Sequence, residues 1–196
     1  MDSRFYTTYE VARMCQVTPG SVSRWIREGK LKTAVTPGGH HRVRANVVFD
    51  FLKGMRMPIP SELLSEHTFR IVLVDDDTAL RNMLREVLQK KFPKSNIEIR
   101  EAEDGFSAGT LISEFSPDLV ILDVNLPGVD GLRVCRSIKE KSALQHTKVI
   151  IITGALNADA KKLLLQEGAD DCLFKPFSIT DFVGKVEEFL EKAKEL

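Results

Sequence analysis

Between Phe69 and Lys194, short apolar runs alternate five times with stretches of helical spacing, and this alternation restricts the fold more than any other feature of the sequence. The runs are 70–74, 97–102, 119–123, 148–153 and 171–175. The stretches between and after them are 78–91, 105–115, 132–141, 159–167 and 179 to about 194. In the first of these, Leu80, Leu84, Val87 and Leu88 recur at the interval that lines one face of a helix. Leu119 to Leu122 are four consecutive apolar residues bounded by turn residues, the pattern of a strand buried on both faces. Five strand–helix units predict an α/β fold with a parallel sheet covered by helices on both sides.

The expected arrangement is a doubly wound five-stranded sheet in the flavodoxin-like order 2-1-3-4-5. All strands of a parallel sheet end on the same edge, so the polar residues that terminate the runs converge there. Asp75 and Asp76 end the first run, Asp123 the third, Thr153 the fourth and Lys175 the fifth. Three clustered carboxylates repel one another unless a cation intervenes, and an all-oxygen site open to water suits Mg²⁺. Lysine and threonine are unusual in a simple cation site but suit an arriving phosphoryl group, whose oxygens they would bind. An aspartate carboxylate can accept that group as an acyl phosphate. Asp123, on the central strand, is the best placed, and Gly154 leaves room beside Thr153. Asp77 and Asp130 read as turn or cap residues.

The first part of the chain has a different character. The 196 residues carry 28 basic and 28 acidic side chains, yet residues 1–57 hold ten Lys and Arg against four Asp and Glu, leaving 18 against 24 for the rest. That asymmetry predicts two domains with different partners, the basic one suited to nucleic acid. The segment 56–68, with two prolines and no strong periodicity, is the expected linker between a domain at 1–55 and another at 69–196. Thr7-Thr8-Tyr9-Glu10 has the spacing of a capping box, opening a helix that buries Val11 and Met14. Thr18 and Pro19 open a second helix, which Gly29 closes. Val22, Ile26 and part of Trp25 face a small core, leaving Thr18, Ser21, Ser23, Arg24 and Arg27 to contact phosphates or base edges. Residues 30–35 and 42–44 predict a hairpin with 36–41 at its tip, a wing carrying His40, His41 and Arg42. A third helix follows over 46–53, with Val47, Val48, Phe51 and Leu52 as its apolar side.

Residues 5 to about 55, through VTPGSVSRW, EGKL and TPGGHHR, resemble the winged helix-turn-helix domain of the MerR and excisionase-like DNA-binding families. The resemblance implies double-stranded DNA binding by the second helix and the wing. Residues 69 to about 192, through VDDD, LDVNLPGVDG, ITGA and FKPF, resemble the CheY-like receiver domain of two-component response regulators. That resemblance makes Asp123 the phosphorylation site and Thr153 and Lys175 the phosphoryl ligands. Asp76, Asp123 and the backbone carbonyl of Asn125 would hold Mg²⁺, with Asp75 assisting through water. It further implies a phosphohistidine donor, either a sensor histidine kinase or a histidine phosphotransfer protein, and a cis Lys175-Pro176 bond. Such domains commonly carry an aromatic residue three positions before the lysine, and Cys172 stands there instead.

The resulting expectation is a response regulator that accepts phosphate on Asp123 and thereby controls transcription, binding repeated DNA half-sites as a homodimer. Self-dephosphorylation, not turnover of outside substrates, would return it to its starting state. Two readings compete. An adaptor would use its N-terminal domain to bind protein. An aspartyl-phosphate phosphatase of the haloacid-dehalogenase kind would use the same residue types, but its second aspartate is Asn125 here and no cap domain follows. The apolar runs are too short to span a bilayer and the N-terminus lacks a signal peptide's apolar segment, so a cytoplasmic protein without membrane attachment is expected. Cys15, Cys135 and Cys172 have no metal-ligand spacing and read as reduced thiols.

Overall fold

The computed structural model describes residues 4–55, 57–92, 97–128, 130–154 and 158–194. The chain divides into two compact units, one through Thr68 and one from Phe69.

The first unit opens with a short strand, β1 (Phe5–Thr7). Helix α1 (Thr8–Met14) begins at a capping box: the Thr7 hydroxyl accepts the Glu10 N–H, and the Glu10 carboxylate accepts the Thr7 N–H at 2.7 Å. Helix α2 (Pro19–Arg27) has Thr18 at its N-cap and proline at its first position, where the missing N–H costs nothing. Strands β2 (Ala34–Val35) and β3 (His41–Arg44) form the wing, with β1 on the other side of β3 in an antiparallel sheet ordered β1-β3-β2. Helix α3 (Ala45–Gly54) and the short α4 (Ser61–Glu66) complete the unit.

Four expectations for this unit change. The strand over 30–35 shrinks to two residues because Lys30 and Leu31 both donate their N–H groups to the Trp25 carbonyl, and Leu31 is buried in the core. Strand β1 was not anticipated, since three residues are too few for alternation to register. Met14, Ile26, Val47 and Phe51 only flank the core that Val11, Val22, Leu31, Val48, Phe49 and Leu52 fill. The expected linker also packs: Pro60 stands at the N-cap position of α4, and Leu63 is 1% exposed in this same core, with Met57, Ile59 and Leu64 against it. Beyond α4, the His67 ring stacks on Phe49 with centroids 3.6 Å apart.

The second unit alternates strand and helix: β4 (Phe69–Val74), α5 (Thr78–Lys91), β5 (Ile97–Ala102), α6 (Gly105–Phe115), β6 (Leu119–Asp123), α7 (Gly131–Glu140), β7 (Lys148–Thr153), α8 (Ala158–Gln166), β8 (Asp171–Phe174) and α9 (Ile179–Lys194). The sheet is parallel in every pairing and ordered β5-β4-β6-β7-β8. Side chains alternate faces along each strand. Val72, Val74, Val120, Leu122, Val149 and Ile151 join α6, α7 and α8 on one face. Ile71, Leu73, Leu119, Ile121, Ile150 and Ile152 join α5 and α9 on the other. Each such fully buried side chain contributes roughly 1.5–3 kcal/mol. The central strand β6 is buried throughout and paired with β4 on one side and β7 on the other, and it ends in Asp123 at the sheet's carboxyl edge.

Candidate functional sites

The β4–α5 connection starts at Asp75, 4% exposed, whose Oδ1 accepts the Asp77 N–H at 2.9 Å. Asp76 follows on the surface, and Asp77 caps α5 through the N–H groups of Ala79 and Leu80. Asp123, also 4% exposed, accepts the Asn125 N–H on Oδ1 at 2.9 Å. Lys175 projects from the end of β8 between the two buried carboxylates, its Nζ 2.6 Å from Asp123 Oδ2 and 2.8 Å from Asp75 Oδ2. Thr153 ends β7, one residue past the Asp123–Ile152 register, with its side chain buried. The Lys175 N–H donates to the Thr153 carbonyl, which ties the last two strand ends together, and the Lys175-Pro176 bond is cis.

Asp75, Asp76 and Asp123 each offer a carboxylate oxygen within 4.8 Å of the others. Three hard oxygen donors, one of them on the surface where water can complete a coordination shell, fit Mg²⁺. Burial pushes the Asp75 carboxyl above its ordinary value, against the opposing pull of Lys175 and the Asp77 N–H. Burial works against the Lys175 ammonium too, yet its bonds to Asp123 and Asp75 outweigh this and raise its pKa. The opposite sheet edge shows what a purely structural aspartate looks like. Asp170 receives Lys139, Lys148 and the Val149 N–H, which overcome burial and hold its carboxyl below the usual range.

Two further residues support the site. Arg81, 7% exposed on α5, donates to the Asp75 carbonyl oxygen and to Thr78 Oγ1, and pairs with Glu101. Its sequence signal was a charge falling among the inward positions of α5. Gly131, the first residue of α7, donates its N–H to the Val124 carbonyl and lies against the main chain of Asp123. Asp130 caps the same helix through the Leu132 N–H. Cys172 is buried in β8, and burial raises its pKa.

In the first unit, Arg24 and Arg27 lie exposed on α2, with Arg24 3.9 Å from Glu28. Three of the hydroxyls named above are engaged locally: Thr18 accepts the Ser21 N–H and bonds to the Ser21 hydroxyl, and Ser23 donates back to the Pro19 carbonyl. The wing tip closes through Gly39 N–H to Thr36 O, with Gly39 at φ 77°, and exposes His40. His41 Nδ1 is bonded to Thr33 Oγ1 at 2.8 Å, and Arg42 donates to the His41 carbonyl. Both wing side chains are therefore half-buried and partly committed to the wing itself.

Residues 71–187 match the response regulator receiver domain. The chain belongs to that family. Residues 5–56 match a helix-turn-helix domain. The transcriptional regulatory protein ResD of Bacillus subtilis is 37% identical over 127 residues, 64% of this chain and 50% of that protein. The response regulator MprA of a Mycobacterium species is 36% identical over 123 residues, 63% of this chain and 51% of that protein. The chain thus spans about half the length of these curated relatives. Among solved structures, the signal receiver domain of a DNA-binding response regulator (merR) from Colwellia psychrerythraea has TM-score 0.59 at 33% identity, covering 63% of this chain and 98% of its own. The receiver domain of a LuxO repressor protein from Vibrio parahaemolyticus has TM-score 0.59 at 30% identity, covering 65% and 94%. No helix among the described residues is long and apolar enough to cross a membrane.

Proposed function

We propose that this chain is a cytoplasmic two-component response regulator in which phosphorylation of Asp123 in a receiver domain (69–196) controls DNA binding by a MerR-like winged domain that extends through residue 68. The observation that carries this reading is the Lys175 bridge between Asp123 and Asp75, which makes two buried carboxylates compatible in one site. The phosphoryl donor is a phosphohistidine on a sensor kinase or phosphotransfer protein. One Asp123 oxygen attacks phosphorus as the histidine nitrogen departs, leaving an acyl phosphate. The Asn125 N–H and the Lys175 ammonium hold the two Asp123 oxygens beforehand, so the carboxylate is oriented before the donor arrives. Lys175 and the Thr153 hydroxyl then bind phosphoryl oxygens. Asp75, Asp76, Asp123 and the Asn125 carbonyl are the groups that would hold Mg²⁺, which supplies neutralisation of the charge gathered there. The chain acts as a phosphoryl acceptor that loses its phosphate by its own hydrolysis.

On the DNA side, Arg24 and Arg27 are the contacts best supported by their exposure, with His40 at the wing tip. Thr18, Ser21, Ser23, His41 and Arg42 would add contacts where their present bonds leave capacity. One small winged module makes few contacts, so the chain binds paired half-sites as a homodimer. The test is a selection from fragmented genomic DNA with the chain unmodified and with beryllofluoride. Related sequences should be enriched, with occupancy differing between the two forms. Enrichment of none in either form would sink the DNA reading and favour a protein partner.

A further inference from the structure

Glu101 stands where an apolar residue is expected. It follows Ile97 and Ile99 at alternate positions of β5, on the face of the sheet that α5 and α9 cover. From α5 it receives two arginines, Arg81 Nε at 3.4 Å and Arg85 Nη1 at 2.6 Å. The buried Arg81 guanidinium reaches past Glu101, donating to Thr78 Oγ1 at 3.1 Å and to the carbonyl oxygen of Asp75. Arg85 also donates to Asn82 Oδ1 at 2.7 Å, and its side chain is 39% exposed. Only a guanidinium therefore separates the Glu101 carboxylate from the main chain of a residue in the acidic cluster.

A tie between α5 and β5 does not call for this arrangement. Replacing a buried ion pair by apolar side chains is often neutral or stabilising, so stability alone gives little reason to keep charges here. What the three side chains do is set the field at Asp75. Within the trio, two guanidiniums against one carboxylate leave one positive charge in excess, and the buried guanidinium is the one that touches Asp75. Charges this close, and shielded from solvent and salt, alter how a site binds a divalent cation.

We propose that Arg81, Arg85 and Glu101 are positioning residues that set the Mg²⁺ affinity of the acidic site. Arg81 holds the Asp75 main chain in place, and Glu101 offsets the repulsion that the Arg81 guanidinium exerts on the metal. All three act through Asp75 and are not themselves ligands. The inference rests on the reading of Asp75, Asp76 and Asp123 as a Mg²⁺ site.

Calorimetric titration of the full chain with Mg²⁺ alone, without phosphodonor, tests it through two substitutions of opposite sign. Glu101→Gln leaves two unbalanced guanidiniums and should weaken Mg²⁺ binding roughly three- to tenfold, the scale of one unit charge acting on a divalent ion across a partly solvated site. Arg85→Gln leaves Arg81 and Glu101 balanced and should strengthen binding about twofold, less because Arg85 is the more exposed. The double variant restores a single excess charge and should bind within about twofold of the parent. A merely structural network predicts a different order: both single variants lose bonds, so both weaken binding, and the double variant binds no better than either. That order would overturn the proposal, as would unchanged affinity in both single variants. Arg85 lies at the surface, so Arg85→Gln should change the melting temperature little, and the sign of its effect decides the matter even where Glu101→Gln fails to fold. A parent that binds no Mg²⁺ would overturn the metal reading, and this proposal with it.

Discussion

A methyl group on Gly131 would stand 2.2 Å from the carbonyl oxygen of Asp123 and 2.9 Å from the Val124 Cα. Neither obstacle is the end of a flexible side chain; both belong to the backbone that presents the phosphoacceptor. Gly131→Ala is expected to push the β6–α7 connection away, costing roughly 1–3 kcal/mol as other overpacked sites do. It should also slow phosphorylation by a small-molecule donor, because Asn125 lies within the displaced segment. A variant with parental melting temperature and parental labelling rate would show that the loop gives way freely.

Lys175→Ala removes the counter-charge of two buried carboxylates. Lys175 is 30% exposed, so solvent reduces the loss below the 3–5 kcal/mol of a fully buried pair, to about 1–3 kcal/mol. The folded-state pKa of Asp75 is raised, so its contribution to stability is present below the ordinary aspartate value and is lost as pH rises through the raised one. Without the ammonium that pKa climbs further. Denaturant melts should therefore show a deficit at neutral pH that shrinks in acid, and Mg²⁺ should restore part of it by binding the native site. A deficit independent of both pH and Mg²⁺ would contradict the assignment.

The strand–helix alternation made this architecture legible, because each strand buried on two faces leaves an uninterrupted apolar run. The site residues were legible for the same reason: Asp75, Asp123, Thr153 and Lys175 are where those runs stop. Gly131 and Arg81 were harder to find. Their roles depend on backbone atoms of Asp123 and Asp75 that only tertiary structure brings close. Strand β1 and helix α4 were hidden by brevity and by Pro58 and Pro60, although Leu63 proves to be a core residue. His41 looked like a free wing contact because its bond to Thr33 crosses the hairpin.

Cys15, Cys135 and Cys172 are buried, and burial raises all three thiol pKa values, that of Cys135 to about 11. The stabilising proton on Cys135 is fully held below 9.0 and is lost as pH rises toward about 11. Native protein near neutral pH should resist iodoacetamide at all three positions and react readily once unfolded, as read by mass spectrometry of peptides. Rapid labelling of Cys172 in the native state would mark it as a reactive thiol.

Arg24→Ala and Arg27→Ala test the outer face of α2. If each contacts a phosphate, its loss weakens binding about equally across sequences and lowers the salt-dependence slope by roughly one. Relaxed specificity at one base pair would instead indicate a base contact. Unchanged affinity and slope in both variants would exclude this face from the DNA interface.

The central claim rests on Asp123, and intact-mass measurement after incubation with acetyl phosphate and Mg²⁺ tests it most directly. The chain should gain one phosphoryl group, labile to hydroxylamine as an acyl phosphate is, and the Asp123→Asn variant should gain none. Equal labelling of the variant, or a hydroxylamine-resistant adduct on the parent, would contradict the account.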